Sequence, residues 1–255
     1  MASLPPAKCC TTGVQHQGEP TGKMIKVGEH DAYLATPTGP AAKKTKAAIL
    51  YIPDVIGIWA NSMLLADRFA AEGGYATLVV DIFRGDAIPM NEFAGTDLAR
   101  WLAGGSSGST PHQPPQIDPV VARAVSYLRR EMGFERVGAV GYCFGGKYVV
   151  RHLADGGGVD AGFIAHPSFV EEDEVAAVVA PLSIAAAETD EVFTPGLRAR
   201  TEEMLRGKGN VYQICLYSGV EHGFAVRRGL EDKVERFAMD QALRQAVAFM
   251  DAWLE

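Results

Sequence analysis

Short apolar runs alternate along this chain with segments of helical periodicity, and this alternation constrains its fold most strongly. Runs that are apolar throughout indicate strands buried on both faces, as in a parallel sheet covered by helices. The sequence therefore predicts an α/β-hydrolase type of architecture, with a mainly parallel central sheet flanked by helices on both faces. The predicted strands are Asp31–Ala35, Ala47–Ile52, Ala76–Ile82, Arg136–Tyr142, Gly162–Ala165, Leu182–Ala186 and Val211–Leu216. The predicted helices are Ala60–Glu72, Met90–Ala103, Asp118–Met132, Gly145–Ala154, Pro195–Arg206 and Glu231–Leu254.

The length of 255 residues suits a single domain over 1–255, with residues 1–22 as an N-terminal extension. Within 85–117, a run of Gly, Ser and Pro predicts an excursion from the core, either a lid or a plain surface loop. A net charge of -7 argues against a nucleic-acid partner. The chain shows neither a secretory signal nor an apolar run of membrane-spanning length, so we expect a cytoplasmic protein without membrane contact. Monomer and homodimer are both compatible with the sequence.

The four cysteines are too few for a disulfide scaffold, and none is spaced as C-x2-C, so we expect reduced thiols. Cys9 and Cys10, with His16 nearby, form the one grouping that resembles a metal site. Adjacent cysteines rarely share a tetrahedral zinc ion, and no second Cys/His pair follows them. The sequence therefore predicts no metal and no cofactor, and a segment at 1–22 that packs on the domain.

An apolar strand, the pattern G-x-C-x-G and a helix follow one another at Val137–Gly146. This is the context of a nucleophile elbow, in which a tight turn projects Cys143 above the sheet. Gly141 and Gly145 leave room for that turn, and the Phe144 N–H at the helix start could face a developing oxyanion. A buried structural cysteine would fit the same glycine-rich turn, so the motif alone does not decide.

Two further polar residues follow predicted strands in the order nucleophile, acid, histidine that this fold uses. Asp190 comes after Leu182–Ala186, and His222 comes after Val211–Leu216. An imidazole raises the thiolate fraction of a neighbouring cysteine, and a carboxylate orients that imidazole. Glu188 competes with Asp190 for the role of the acid. His166 follows another strand and is a candidate for lining the pocket, although a structural histidine is more common at such a position.

Four segments together resemble the dienelactone hydrolase family, and the similarity runs from about Gly22 to the C-terminus. They read YIPDVIG at 51–57, VDIFRG at 80–85, GYCFGG at 141–146 and HGFA at 222–225. The resemblance implies a triad of Cys143, His222 and Asp190, with an oxyanion hole from the backbone N–H groups of Phe144 and Val55. It implies hydrolysis of a small ester or lactone through a thioacyl enzyme.

The same resemblance implies that Asp54 contacts and gates the resting thiol, and that Arg84 and Arg227 hold a substrate carboxylate. Here the acid is shorter than the family's usual glutamate, and Val226 is inserted before the second arginine. The substrate therefore need not be dienelactone itself. Guanidinium groups also recognise carboxylates bidentately, so an anionic lactone or ester is the hypothesis that follows.

Two other functions remain open at this point. The fold could keep its pocket and serve as a small-molecule binding or signalling protein instead of an enzyme. Cys143 could also be a redox sensor, which would need a resolving thiol nearby. Cys215, in the interior of a predicted strand, is a poor candidate for that thiol.

Overall fold

The computed structural model describes residues 1–38, 46–92 and 95–255. Eight strands form one sheet in the spatial order β1-β2-β4-β3-β5-β6-β7-β8. They are β1 (Lys23–Val27), β2 (His30–Ala35), β3 (Ala47–Ile52), β4 (Ala76–Val80), β5 (Arg136–Tyr142), β6 (Ala161–Ala165), β7 (Leu182–Thr189) and β8 (Tyr212–Glu221). β2 pairs antiparallel with β1 and with β4, and the other neighbours pair in parallel. The predicted α/β architecture with a mainly parallel sheet is confirmed.

Helices cover both faces of the sheet. They are α1 (Ala60–Gly73), α2 (Leu98–Gly104), α3 (Pro114–Ser126), α4 (Phe144–His152), α5 (Glu172–Ala177), α6 (Pro195–Lys208) and α7 (Lys233–Leu254). Strand β5 shows the reason for its apolar run: Val137 and Ala139 enter one apolar cluster, whereas Val140 and Tyr142 enter the other. Both faces of a central parallel strand are buried, so the strand has no polar face. Among the residues described, no helix is both long enough and apolar enough to cross a membrane.

Several elements differ from the sequence predictions. Strand β1 was missed because it is an edge strand with mostly exposed side chains. The short helix α5 was also missed. Helix α3 begins at Pro114, inside the stretch predicted as turns and ahead of the predicted start at Asp118. Proline fits there because the N–H groups of a first helical turn have no intrahelical partner.

The predicted excursion at 85–117 packs on the core where it is described. Trp101 and His112 are buried, and both bind Asp86: the indole Nε1 donates to its carbonyl at 2.8 Å, and His112 Nε2 lies 2.7 Å from its carboxylate. The Trp101 ring lies 6.1 Å from the ring of Phe144. The predicted start of the helix Met90–Ala103 is wrong, since the described residues form an α-helix from Leu98 onward, with Asp97 as its N-cap, and 93–94 lie outside the described residues. Opening of this segment as a lid stays a prediction.

Gly145, at the start of α4, is the residue on which the strand-to-helix turn depends most. A Cβ there would overlap the carbonyl oxygen of Ile52 and lie 2.7 Å from that of Pro53, and both are backbone atoms. Gly145→Ala is therefore expected to lower the free energy of unfolding by about 3 kcal/mol, because this backbone cannot move without shifting the end of β3. Urea denaturation would measure the change.

Gly207 provides the matched control. It lies in α6, and a Cβ there would meet no atom within 4 Å. Gly207→Ala is expected to stabilise the protein by up to about 1 kcal/mol, since it removes only the conformational freedom of a helical glycine. Equal destabilisation by both substitutions would show that the close packing at the turn is not what makes Gly145 necessary.

Candidate active site

Four polar residues follow the carboxyl ends of strands in the parallel half of the sheet. Asp54 comes after β3, Cys143 directly after β5, Asp190 directly after β7 and His222 directly after β8. Parallel strands that lie side by side present these ends along one edge, where sites of open α/β sheets form. The topology therefore brings together residues that are as much as 168 positions apart in the sequence.

Cys143 is the cap residue that joins β5 to α4. Its backbone has φ 51° and ψ -113°, a strained conformation that aims the side chain away from both elements. The sulfur lies 3.2 Å from His222 Nε2 and 3.5 Å from the Ser168 hydroxyl. Ser168 was not among the sequence candidates. The Cys143 side chain is fully buried.

Asp190 is the carboxylate that meets the imidazole. Its two oxygens lie 3.0 and 2.9 Å from His222 Nδ1, and Oδ1 also accepts from the backbone N–H groups of Val192 and Phe193, each at 2.8 Å. Glu188, the competing acid, is exposed and accepts from the Gly219 N–H at 2.8 Å instead. The structure thus places Asp190, and not Glu188, against His222.

Cys143, His222 and Asp190 shift one another's pKa values toward the charged forms. Burial raises the pKa of Cys143, but a hydrogen bond from Cys10 and the charge of His222 outweigh it and hold that pKa well below its usual value. Burial lowers the pKa of His222, yet Cys143 and Asp190 raise it to about 10. Burial opposes ionisation of Asp190 too, but the bond to His222 keeps its pKa low. The arrangement favours a thiolate paired with an imidazolium.

This pairing predicts a pH dependence for the thiol. Because the folded pKa of Cys143 is depressed, its thiolate is expected to persist as pH falls below the ordinary thiol value of 9.0. His222→Asn should remove the imidazolium and move the titration back upward. The ultraviolet absorption of thiolate, taken as wild type minus Cys143→Ala at each pH, would isolate this group from the other cysteines. If the difference in thiolate absorption between wild type and Cys143→Ala developed only near the ordinary thiol pKa, the result would contradict the ion pair.

The two backbone groups predicted for the oxyanion hole lie at neighbouring strand ends. Phe144 is the first residue of α4, so its N–H has no partner within the helix. Val55 follows β3 and is fully buried. Strand β3 pairs with β5, and the last pair of residues is Ile52 and Gly141. Their role as oxyanion donors stays a prediction.

Asp54 and Arg227 form a buried ion pair. Arg227 Nη1 donates to Asp54 Oδ2 at 2.5 Å, its Nη2 donates to the Cys9 carbonyl at 3.3 Å, and the Ile56 N–H donates to Asp54 Oδ1 at 3.1 Å. Burial raises the pKa of Asp54 to about 6, against the opposing charge of Arg227. Among the described residues, Asp54 therefore accepts hydrogen bonds from an arginine and from a backbone N–H. Thiol gating by Asp54 and carboxylate binding by Arg227 stay predictions.

The other two predicted binding residues lie in different surroundings. The Arg84 side chain is about half exposed, and its Nη2 lies 3.6 Å from Glu29 Oε1. His166 is fully buried, its ring edge-on to His222 with centroids 4.9 Å apart. Burial holds the pKa of His166 well below its ordinary value, so the ring is neutral. His166 thus packs against the His222 imidazole, and pocket lining by His166 stays a prediction.

The N-terminal segment contributes a residue that sequence reasoning did not place in the site. A short helical turn at Lys8–Cys10 brings the Cys10 sulfur to 3.3 Å from His222 Nε2, and that thiol is fully buried. The N–H groups of Ala2 and Ser3 donate to the Val170 carbonyl, which anchors the beginning of the chain. No local motif marks Cys10, because its partner is 212 residues away.

Cys9, Cys10 and His222 each offer one ligand atom, and these atoms lie within 4.8 Å of one another. The sequence suggested His16 as the residue that would join Cys9 and Cys10 in a metal site, but the His16 ring lies 2.8 Å from the Arg228 carbonyl. Such a set of two thiols and an imidazole has the chemistry of a soft-metal site. His222 Nε2 already faces the Cys143 sulfur, however, so a metal ion bound there would take the same nitrogen that contacts Cys143.

A cavity of about 260 Å³ opens beside His222. Its walls carry charge of both signs and come from the N-terminal segment and the ends of β7 and β8. They consist of Lys8, Cys9, Thr12, Thr189, Glu191, Glu221, His222 and Arg228. A larger cavity of about 440 Å³ lies around Asp118 and Arg151, away from this cluster. Of the two cavities, the smaller one is bordered by His222, and neither Cys143 nor Asp190 is among its wall residues.

Known proteins with similar sequences point to one family. The model of the dienelactone hydrolase family matches residues 30–254. Hydrolase pyvD of Aspergillus violaceofuscus is 42% identical over 100% of both chains, and Hydrolase tropI of Talaromyces stipitatus is 40% identical over 100% of this chain and 99% of its own. A solved dienelactone hydrolase-like promiscuous phosphotriesterase from metagenomic libraries has a TM-score of 0.67 and 13% identity, covering 92% of this chain and 99% of its own. The fold and these matches together show that the chain belongs to the dienelactone hydrolase family of α/β-hydrolases.

Proposed function

We propose that this hydrolase cleaves small esters or lactones through a thioacyl enzyme on Cys143. The observation that carries the proposal is the unbroken line of contacts from Asp190 through His222 to the Cys143 sulfur, at 2.9 and 3.2 Å. Each residue has the type its role requires: a carboxylate that orients, an imidazole that transfers protons and a thiolate that attacks. The strained turn at Cys143 and the family membership support the same assignment.

In the first half of the reaction the Cys143 thiolate attacks the carbonyl carbon, and the carbonyl oxygen becomes an oxyanion that the Phe144 and Val55 N–H groups can stabilise. The intermediate collapses, the ester C–O bond breaks, and the His222 imidazolium protonates the leaving oxygen. In a lactone that oxygen stays on the acyl chain, so the ring opens while the acyl group remains on sulfur.

In the second half His222 takes a proton from a water molecule, and the resulting hydroxide attacks the thioester. Collapse of this second intermediate breaks the C–S bond, releases the acid and restores the thiolate. Asp190 keeps Nε2 of His222 directed at the sulfur throughout, since it holds Nδ1 from the other side. Unactivated amides are poor substrates for such a pair without further groups, so esters, enol lactones and thioesters are favoured over peptides.

Trapping of the acyl enzyme tests the proposal. Wild type mixed with an activated ester is expected to gain one acyl mass by intact mass spectrometry, located on the tryptic peptide 137–147, which holds Cys143. Cys143→Ala should gain none, and Cys215→Ala should behave as wild type because Cys215 lies on β8, away from the triad. An adduct of equal yield in Cys143→Ala would reject the nucleophile.

A preference for anionic substrates is the finer part of the proposal. Arg84 is the partner that the family resemblance implies, whereas Lys8 and Arg228 are the cations on the cavity wall. Arg84→Ala is expected to raise KM for an anionic ester and to spare a neutral ester of the same size. Arg228→Ala is the matched comparison. If only the Arg228 variant discriminates, the carboxylate is held at the cavity wall, and an equal effect on both esters would refute the role of Arg84.

A further inference from the structure

Two thiols that lie 133 positions apart in the sequence contact one imidazole nitrogen. The Cys143 sulfur lies 3.2 Å from His222 Nε2, and the Cys10 sulfur lies 3.3 Å from the same atom. Both thiols are fully buried. The proposed hydrolysis uses Cys143 alone and gives Cys10 no part. A reduced thiol held beside a nucleophilic thiolate is a resolving thiol in position, and this is the partner that a redox role for Cys143 requires.

The two sulfurs differ in the way that such chemistry needs. The Cys143 sulfur is held as thiolate, the form that peroxides oxidise. Burial raises the pKa of Cys10, which therefore stays protonated and donates a hydrogen bond to the Cys143 sulfur. His222 is the base within reach of Cys10, so the proton of that thiol has an acceptor when it reacts.

The segment that carries Cys10 is tied down on both sides of it. The Ala7 N–H donates to the Cys10 sulfur at 3.3 Å, Arg227 binds the Cys9 carbonyl, and the Thr11 carbonyl accepts from the Asn91 N–H at 2.9 Å. These contacts keep the Cys10 thiol at the site, which raises its effective concentration above that of any thiol in solution. Cys215, considered from the sequence, is on β8 and has no such contact among the described residues.

We propose that a hydroperoxide converts Cys143 and Cys10 into a reversible disulfide that switches the enzyme off. The Cys143 thiolate attacks the outer peroxide oxygen, the O–O bond breaks, and the sulfur becomes a sulfenic acid, while the leaving oxygen takes the proton of the His222 imidazolium and departs as water or an alcohol, leaving His222 neutral. The Cys10 thiol then passes its proton to His222, and its sulfur attacks the sulfenic sulfur. The S–S bond forms, the S–O bond breaks, and the oxygen leaves as water after taking that proton. The peroxide supplies both oxidising equivalents in the first step, and the second step is a displacement that needs no further oxidant.

The disulfide would have two effects. It removes the nucleophile, so hydrolysis stops until a thiol reductant restores both cysteines. It also stops oxidation at a reversible stage, because a sulfenic acid without a resolving thiol proceeds to sulfinic acid. The proposal rests on the reactive thiolate assumed in the proposed function, but its readout is a covalent link between peptides and does not depend on any ester.

Peptide mapping after treatment with hydrogen peroxide tests this site. Wild type is expected to lose two hydrogen atoms in mass and to yield tryptic peptides 9–23 and 137–147 joined under non-reducing conditions. Peptide 9–23 holds both Cys9 and Cys10, so single variants identify the linked residue. Cys9→Ser and Cys215→Ser should keep the link, whereas Cys10→Ser should lose it and accumulate sulfinic acid on Cys143.

Recovery of activity separates the variants further. Dithiothreitol should restore peroxide-treated wild type to nearly its starting activity, whereas treated Cys10→Ser should stay inactive. Sulfinic acid on Cys143 of wild type without the link would overturn the proposal, and so would a link that survives in Cys10→Ser and disappears in Cys9→Ser. A link that forms in a protein that no ester acylates would leave this inference standing and reject the proposed function.

Discussion

Cys143→Ala is expected to lower kcat for small esters and lactones by at least about 10³-fold, since it removes the sulfur that acts as nucleophile in the proposed mechanism. The substitution only shortens a buried side chain, so the fold should survive, and thermal unfolding would check this. Asp190→Asn should lower kcat by up to about 10⁴-fold, because an amide cannot hold the correct His222 tautomer or its charge. Steady-state kinetics on one activated ester would measure both.

Glu188→Gln is the matched control for the acid. Glu188 is two residues from Asp190 and also carries a carboxyl group, but it is exposed and accepts a hydrogen bond from the Gly219 N–H. Its kcat should stay within about twofold of wild type, as expected for a surface charge away from the reacting atoms. If Glu188→Gln lost activity and Asp190→Asn kept it, Glu188 would be the acid of the triad. Full activity in Cys143→Ala would refute the proposed triad.

Arg227→Met is expected to lower the free energy of unfolding by about 3–5 kcal/mol, the effect of leaving one member of a buried ion pair without its partner. Arg227 and Asp54 are both fully buried, and their charged atoms lie 2.5 Å apart. Among the described residues, removal of the guanidinium leaves the Ile56 N–H as the hydrogen-bond donor to the Asp54 carboxylate. Denaturation in urea at constant pH would measure the loss.

Arg228→Met is the control beside it in the sequence. Arg228 reaches solvent and pairs with the exposed Glu221 at 2.7 Å, so its loss should change stability by about 1 kcal/mol or less. The double variant Arg227→Met with Asp54→Leu should recover most of the stability lost by the single change, since no buried charge then remains. Failure of this recovery would mean that packing of the Arg227 side chain, and not the ion pair, carries the effect.

Features encoded by neighbouring residues could be predicted from the sequence. The apolar run of β5 and the glycines that follow it dictate a strand, a tight turn and a helix, because strand burial and turn sterics act over a few residues. Cys143 could therefore be placed at the turn. Asp190 and His222 could be placed at later strand ends by the same local signals, and the parallel sheet follows from the alternation of elements. The missed β1 is an edge strand, and its exposed side chains give no apolar run.

Contacts between distant segments could not be predicted in this way. The sequence left Glu188 and Asp190 as alternatives, and the structure separates them because β7 directs only Asp190 toward His222. The sequence could suggest a substrate-binding role for Arg227, but it could not show that the fold buries Arg227 against Asp54.

By itself, then, the sequence determined the α/β sheet, the turn at Cys143 and the order of the three residues after their strands, since these depend on local periodicity and sterics. Only the tertiary structure decided which acid meets His222 and that Cys10 lies against the same imidazole as Cys143. Those outcomes depend on how an N-terminal segment and four strand ends pack at one edge of the sheet. No run of neighbouring residues records such packing.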